Sequence, residues 1–331
     1  MNAQHESLPL PGIAEVEAAA ARLAGIVRRT PLLAGTPLDE AIGGRLLLKA
    51  ECLQRTGSFK LRGAYNRLVQ LDDERRRAGV VAFSSGNHAQ GVAAAARTLG
   101  IRATIVMPSD APAIKLANTR ALGAEVVLYD RFSEDREQIA RRLVAERGAT
   151  LVPAYDDPDV VAGQGTAGLE LMQQAAALGL MPDQVLVPTS GGGLTAGTAI
   201  AVRTLAPRAV VYGVEPEAFD DTRRSLAAGT LLKNPPEARS ICDALQSSPP
   251  GALTFAINRE LLAGVLVVSD AEVETAMARS FRDLKLVVEP GGAVALAAAL
   301  AGRVPLAGRT TAILLSGGNV DARTFAAALA R

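Results

Sequence analysis

The sequence predicts an α/β fold built on a mostly parallel sheet, and three features carry that expectation. Short β-branched or apolar runs alternate with longer Ala-rich stretches of helical character, as parallel strands joined by crossover helices require. Several strand runs are apolar throughout rather than alternating, as strands covered on both faces are. Loops rich in Gly, Ser and Asn follow three of these runs, where open parallel sheets collect ligands.

In chain order, strands are expected at Arg45–Lys49, Val80–Phe83, Ala103–Met107, Glu125–Tyr129, Gln184–Val187, Val210–Val214, Val265–Val268 and Thr311–Leu315. Between them lie helical patterns at Ala89–Leu99, Asp135–Arg147, Gly165–Ala177, Leu194–Leu205 and Asp270–Leu284, with a further helical segment opening near Lys60. Ser269 and Glu272 stand at capping-box spacing before the last of these patterns. The Pro-rich stretch Ala228–Pro250 reads as a long surface loop, and no internal repeat is visible.

Charge and composition remove several function classes. In 331 residues, 35 Lys and Arg stand against 34 Asp and Glu, so no dominant attraction to nucleic acid or anionic membrane is expected. Tryptophan is absent and aromatic residues make up 3% of the chain, which leaves little for base stacking. Cys52 and Cys242 form no metal-ligand spacing and no disulfide framework, and no signal-peptide pattern or membrane-length apolar run is present, so a cytoplasmic protein is expected.

The chemistry is concentrated in the loops. Ser84-Ser85-Gly86-Asn87-His88 precedes a helix, where free backbone N–H groups and the helix dipole favour an anion such as a substrate carboxylate. An N-capping turn would need only one or two of these residues. Thr189-Ser190-Gly191-Gly192-Gly193-Leu194 offers three adjacent glycines at a helix start, a phosphate cradle that needs no cation. The same loop supports a rival reading: Gly191, Gly193 and Ala196, with Glu215 after the next strand, match a dinucleotide fingerprint and a nicotinamide-dependent oxidoreductase. Ser316-Gly317-Gly318-Asn319 places a serine at the end of a strand, either as a ligand for a ring nitrogen or as another strand-to-helix turn.

Ser58-Phe59-Lys60-Leu61-Arg62-Gly63-Ala64 sets a lysine at a helix N-terminus, where the dipole disfavours a cation. A solvated surface charge would tolerate that position, whereas an amine of lowered pKa would gain nucleophilicity there. Taken with the three loops and with Ala162-Gly163-Gln164-Gly165-Thr166, this segment resembles the pyridoxal-phosphate-dependent serine/threonine dehydratase family, the group of threonine dehydratases, serine dehydratases and serine racemases. The resemblance spans about residues 20 to 325.

It implies the tryptophan-synthase-β-like fold, fold type II of pyridoxal-phosphate enzymes, with two open, mostly parallel twisted sheets and flanking helices. It further implies a large cofactor-binding domain from residues 1–74 and 156–331, a small domain inserted at 75–155, and a homodimer or homotetramer. By matching position, Lys60 is the Schiff-base lysine and a base, Phe59 packs on the cofactor ring, and Asn87 meets its phenolic oxygen. Gly191, Gly192, Gly193 and Leu194 hold the phosphate, and Ser316 meets the ring nitrogen. Ser84, Ser85, Asn87 and His88 belong to the substrate-carboxylate loop, with Ser85 the acid/base of the second face. Arg136 matches a substrate-binding arginine, against the plainer reading of a helix ion pair with Glu134 or Glu137. Glu215, the Phe219 carbonyl and Asp221 match an activating Mg²⁺ or Ca²⁺ site, against a solvated acidic turn. The phosphate loop departs from the family in carrying Ser190 before three glycines where many members have four.

The activity implied is β-elimination from a 3-hydroxy amino acid, giving a 2-oxo acid and ammonia, with L-threonine and L-serine the first expectation. A 3-hydroxyaspartate dehydratase, suggested by Arg136, a hydroxyectoine-utilisation dehydratase, suggested by Glu289-Pro290-Gly291-Gly292-Ala293, and a serine racemase using Ser85 are the alternatives. A non-enzymatic amino-acid sensor would have no use for both Lys60 and Ser316.

Overall fold

The protein is described by a computed structural model covering residues 10–84, 86–111 and 113–330. Its strands are β1 (Leu32–Leu33), β2 (Arg45–Lys49), β3 (Val80–Phe83), β4 (Ala103–Pro108), β5 (Glu125–Tyr129), β6 (Thr150–Leu151), β7 (Gln184–Pro188), β8 (Val210–Pro216), β9 (Gly264–Val268) and β10 (Thr310–Leu314). They form a six-stranded sheet in the order β1-β2-β10-β7-β8-β9 and a four-stranded sheet in the order β5-β4-β3-β6. Every pairing is parallel except β1 with β2. The eight expected strands are present with ends shifted by at most two residues, and two-residue β1 and β6, too short to show periodicity, complete the sheets.

Alternate residues of the larger sheet enter two cores. Leu46, Leu48, Leu186 and Ile313 pack beneath helices Asp270–Leu284 and Pro290–Leu300. Leu47, Val185, Val187, Ala312 and Leu314 face helices Pro158–Ala177 and Gly193–Leu205. Covered on both faces, these strands have no solvent side, which explains their unbroken apolar sequence. The smaller sheet is likewise double-faced, with Val80, Ala82 and Ile105 on one side and Val81 and Val106 on the other. No helix among the described residues is long and apolar enough to cross a membrane, and Cys52 and Cys242 are free thiols buried in the core.

Two departures from the sequence expectation are informative. Helix Pro158–Ala177 begins seven residues before the expected start at Gly165, capped by the Asp157 carboxylate on the N–H groups of Asp159 and Val160. Gly163, Gly165 and Gly168 weaken its helical signature. They are there for packing: a Cβ on Gly165 would stand 2.8 Å from the Gly197 carbonyl oxygen, and one on Gly163 would stand 2.6 Å from that of Arg62. The Ala228–Pro250 stretch is a loop, but not simply a surface one. Cys242 and Leu245 lie in the core, and Asp243 through Pro250 wall a large cavity, because the stretch crosses the gap beside the carboxyl ends of the strands.

Candidate active site

That cavity, of about 1010 Å³, is lined by the loops that follow β3, β7 and β10, so the three segments singled out in the sequence converge on one space. Their convergence follows from topology, since parallel strands present all their carboxyl ends to the same edge of the sheet.

Lys60 enters from the first turn of helix Lys60–Val69. Its Nζ donates to the Ala154 carbonyl at 2.8 Å and lies 5.1 Å from the Phe59 ring centroid. Burial pushes its ammonium pKa down to about 8. The Gln164 side-chain amide donates to the same Ala154 carbonyl at 3.1 Å, so the helix bearing Gln164 helps fix the segment that receives Lys60.

The glycine loop is held from behind. Thr222 Oγ1 donates to the Ser190 carbonyl at 3.2 Å, Thr254 Oγ1 to that of Gly191 at 2.6 Å, and Asn258 Nδ2 to that of Gly192 at 3.3 Å. With the carbonyls tied away, the unpaired N–H groups of the first turn of helix Gly193–Leu205 are left for the cavity. Gly192 has a φ of +95°, and a Cβ on Gly191 would land inside the Tyr155 ring, so neither position accepts a side chain. Ser190, the departure from a fourth glycine, receives the Ser247 N–H on its Oγ at 3.1 Å and so ties the loop to the Ala228–Pro250 stretch.

Ser84, Asn87 and His88 line the same cavity; Ser85 lies outside the described residues. The Ser84 hydroxyl accepts the Gly86 N–H at 3.2 Å, closing the turn that starts helix Asn87–Leu99. His88 Nε2 meets the Val152 carbonyl at 2.9 Å, an arrangement that places the ring proton on Nε2. Burial, helped by the Lys60 charge, lowers its pKa to about 3, so the ring is neutral. Ser316 borders the cavity while its backbone carbonyl accepts the Phe59 N–H at 3.1 Å, bringing two distant segments of the chain to one point.

Arg136 stands on the cavity wall with its guanidinium 5.4 Å from the Phe83 ring centroid. The helix ion pair weighed for it does not form: Glu137 pairs with Arg141 at 3.3 Å, and Glu134 accepts the Asp130 N–H at 2.7 Å.

Glu215 and Asp221 are both buried. The Glu215 carboxylate accepts the N–H groups of Thr222 and Arg223 at 3.1 and 3.0 Å, and burial, with Asp221 adding to it, pushes its pKa up to about 8. Tied to the start of helix Asp221–Ala228, it is not offered to a ribose, which removes the acidic member of the dinucleotide fingerprint. Among the described residues no three His, Cys, Asp or Glu side chains are grouped to hold a metal ion.

Sequence reasoning gave no role to several cavity-lining residues, among them Tyr155, Lys115 and Asp243. Lys115 and Asp243 form an ion pair on the cavity lining. Their sequence neighbourhoods carry no motif, and only the tertiary fold brings them together.

Comparison with known proteins agrees with the geometry. A family model described as pyridoxal-phosphate dependent enzyme matches residues 23–317. An L-threo-3-hydroxyaspartate ammonia-lyase from Pseudomonas sp. is 49% identical over 315 residues, spanning 95% of this chain and 97% of its own. A protein of the same description from Saccharomyces cerevisiae is 44% identical over 96% of both chains. The solved structure of a T.th. threonine deaminase superposes with a TM-score of 0.88 at 49% identity, over 94% of this chain and 99% of its own.

The residues present fit that cofactor. A buried amine of lowered pKa borders the cavity, and side-chain-free positions at a helix N-terminus stand ready for a phosphate. On sequence, fold and pocket chemistry together, the chain belongs to the pyridoxal-phosphate-dependent enzymes of fold type II, in the serine/threonine dehydratase group.

Proposed function

We propose that this enzyme, an ammonia-lyase acting by elimination on a hydroxy amino acid, takes L-threo-3-hydroxyaspartate as its preferred substrate. The observation that carries the reading is Arg136, a guanidinium on the cavity wall held over Phe83, whose neighbouring glutamates are engaged elsewhere. A planar guanidinium left in this state suits the distal carboxylate of a dicarboxylic substrate, which L-threonine and L-serine lack. The names of the Pseudomonas and yeast relatives support the same substrate.

When bound, the cofactor supplies an electrophilic carbon for the substrate amine and a sink for the electrons of the Cα–H bond. Lys60 holds the cofactor and, as a free amine, takes the Cα proton. Amides of Gly191, Gly192, Gly193 and Leu194 would hold the phosphate, the Ser316 hydroxyl would meet the ring nitrogen, Phe59 would wall the ring, and Asn87 would donate to the phenolic oxygen. The substrate α-carboxylate sits on Ser84, Ser85, Asn87 and His88 at the start of helix Asn87–Leu99, where the dipole favours an anion. Arg136 receives the second carboxylate and thereby orients the β-hydroxyl for departure. An activating Mg²⁺ or Ca²⁺ would rest on Glu215, Asp221 and the Phe219 carbonyl, and would require Glu215 to lose its proton and share or give up the Thr222 and Arg223 N–H groups. The same reading has residues 75–155 as an inserted small domain in a cytoplasmic homo-oligomer.

The test is release of 2-oxo acid by cofactor-loaded protein from L-threo-3-hydroxyaspartate, L-threonine and L-serine, with magnesium or with chelator. The dicarboxylate should be preferred in kcat/KM. Arg136→Leu should raise its KM by about 10- to 100-fold while leaving L-threonine within about threefold. Equal or better turnover of L-threonine, with no selective effect of Arg136→Leu, would move the assignment to the monocarboxylic substrates.

A further inference from the structure

Behind the cavity, Asn87, Glu289 and Asn319 form a chain of side-chain hydrogen bonds whose direction is set at both ends. Asn319 Nδ2 donates to the Thr56 carbonyl at 2.9 Å and to Asn87 Oδ1 at 2.7 Å. Asn87 Nδ2 in turn donates to Glu289 Oε1 at 2.5 Å. A backbone carbonyl only accepts, so Asn319 must present its amide nitrogen to Thr56, and that same nitrogen meets Asn87. At the other end Glu289 Oε1 accepts whether the carboxyl is ionised or carries its proton on Oε2. Turning the Asn87 amide over would set its oxygen against the Glu289 carboxyl and its N–H groups against those of Asn319. Even a carboxyl carrying its proton on Oε1 would leave the turned amide's N–H groups against those of Asn319, so one orientation alone satisfies both neighbours.

The surrounding backbone is shaped to keep Glu289 there. Its N–H donates to the Gly317 carbonyl at 3.0 Å, and a Cβ on Gly317 would collide with Glu289 Oε1. A Cβ on Gly292 would collide with the Gly317 carbonyl in turn. Gly292 and Gly317 therefore let the start of helix Pro290–Leu300 and the loop after β10 close on each other around one buried carboxyl.

We propose that Glu289 and Asn319 are positioning residues that hold the Asn87 amide with its remaining N–H, not its oxygen, toward the cavity, so that the cofactor's phenolic oxygen meets a donor. This rests on the assignment of Asn87 to that oxygen made above. Neither positioning residue touches the cofactor; each acts through Asn87. An amide presented the other way would set oxygen against oxygen.

The experiment measures equilibrium dissociation constants of the cofactor-free protein for pyridoxal phosphate and for its analogue lacking the phenolic oxygen. The proteins compared are the wild type, Asn87→Ala, Glu289→Met, Glu289→Gln and Asn319→Ala. Glu289→Met and Asn319→Ala should weaken pyridoxal phosphate by about tenfold while changing the analogue by less than about twofold, since only the oxygen reads the orientation. Glu289→Gln, which can still accept from Asn87, should stay within about threefold of wild type. Should Glu289→Met not fold, Asn319→Ala reads the same orientation from the opposite end. If Asn87→Ala discriminates between the two ligands but Glu289→Met and Asn319→Ala do not, the positioning proposal is overturned and the assignment of Asn87 stands. If Asn87→Ala does not discriminate either, that assignment is wrong and the proposal falls with it.

Discussion

Two cations sit two residues apart on one helix and meet opposite fates. Arg62 is fully buried and saturated: its Nε and Nη2 reach Glu51 at 2.8 Å each, its Nη1 and Nη2 reach Glu170 at 2.8 Å each, and Thr166 Oγ1 accepts at 3.1 Å. Lys49 joins the same cluster through Glu170 at 2.6 Å. The carboxylates push the Arg62 pKa up in spite of its burial. Among the described residues Lys60 meets only the Ala154 carbonyl, and burial lowers its pKa. Counterions separate Arg62 from Lys60, although burial still lowers the pKa of the carboxylate-paired Lys49. A buried guanidinium given carboxylates is a permanent charge that pins elements together, whereas a buried lysine denied them is an amine ready to react.

Removing the amine gives the largest expected effect. Lys60→Ala should lower 2-oxo acid production by at least about a thousandfold while circular dichroism stays unchanged, since no ion pair is broken. Arg62→Leu should do the reverse, costing about 3–5 kcal/mol of stability in urea unfolding because Glu51 is left as a buried charge short of partners. The contrast fails if the two variants behave alike.

Acidity sharpens it further. Capture of pyridoxal phosphate by the cofactor-free protein requires the neutral Lys60 amine, which predominates above its pKa of about 8. The capture rate should therefore fall about tenfold for each pH unit below 8 and level off above it, read by stopped-flow absorbance. An unshifted lysine would keep climbing past pH 9. The smallest effect belongs to Thr166→Val, which removes one acceptor from a guanidinium that retains Glu51 and Glu170. About 1 kcal/mol of stability should be lost, with the pH profile unmoved.

The comparison also marks what could be read from sequence. Lys60, the glycine loop and the loop at 84–88 were legible because each is a short stretch whose chemistry needs adjacent residues of special type. Strands were legible because covered strands must be apolar. Arg62 belongs to the lysine motif, yet nothing adjacent in sequence foretells that Glu51 and Glu170 close on it. Glu289 and Asn319 likewise stood in noted motifs, but their joint contact with Asn87 spans more than two hundred residues of chain. The first turns of helix Pro158–Ala177 are not legible in sequence because glycines needed for close packing look locally like interruptions. What stayed hidden was in each case a tertiary contact.

Strand order has a consequence for how the molecule is made. The four-stranded sheet draws its strands from one continuous stretch, Val80 to Leu151, and can pair as soon as that stretch has left the ribosome. In the six-stranded sheet β10 lies between β2 and β7, so β2, synthesised early, has no neighbour toward the sheet's interior until Leu314 has been translated. Joining strands so far apart in the chain makes this closure slow, and until it occurs the exposed edge of β2 is open to pairing with other chains. The pocket is completed by the same event, for Ser58 bridges Gly317 and Phe59 meets Ser316 only once β10 is seated. A nascent chain thus acquires its active site only after β10 has been made.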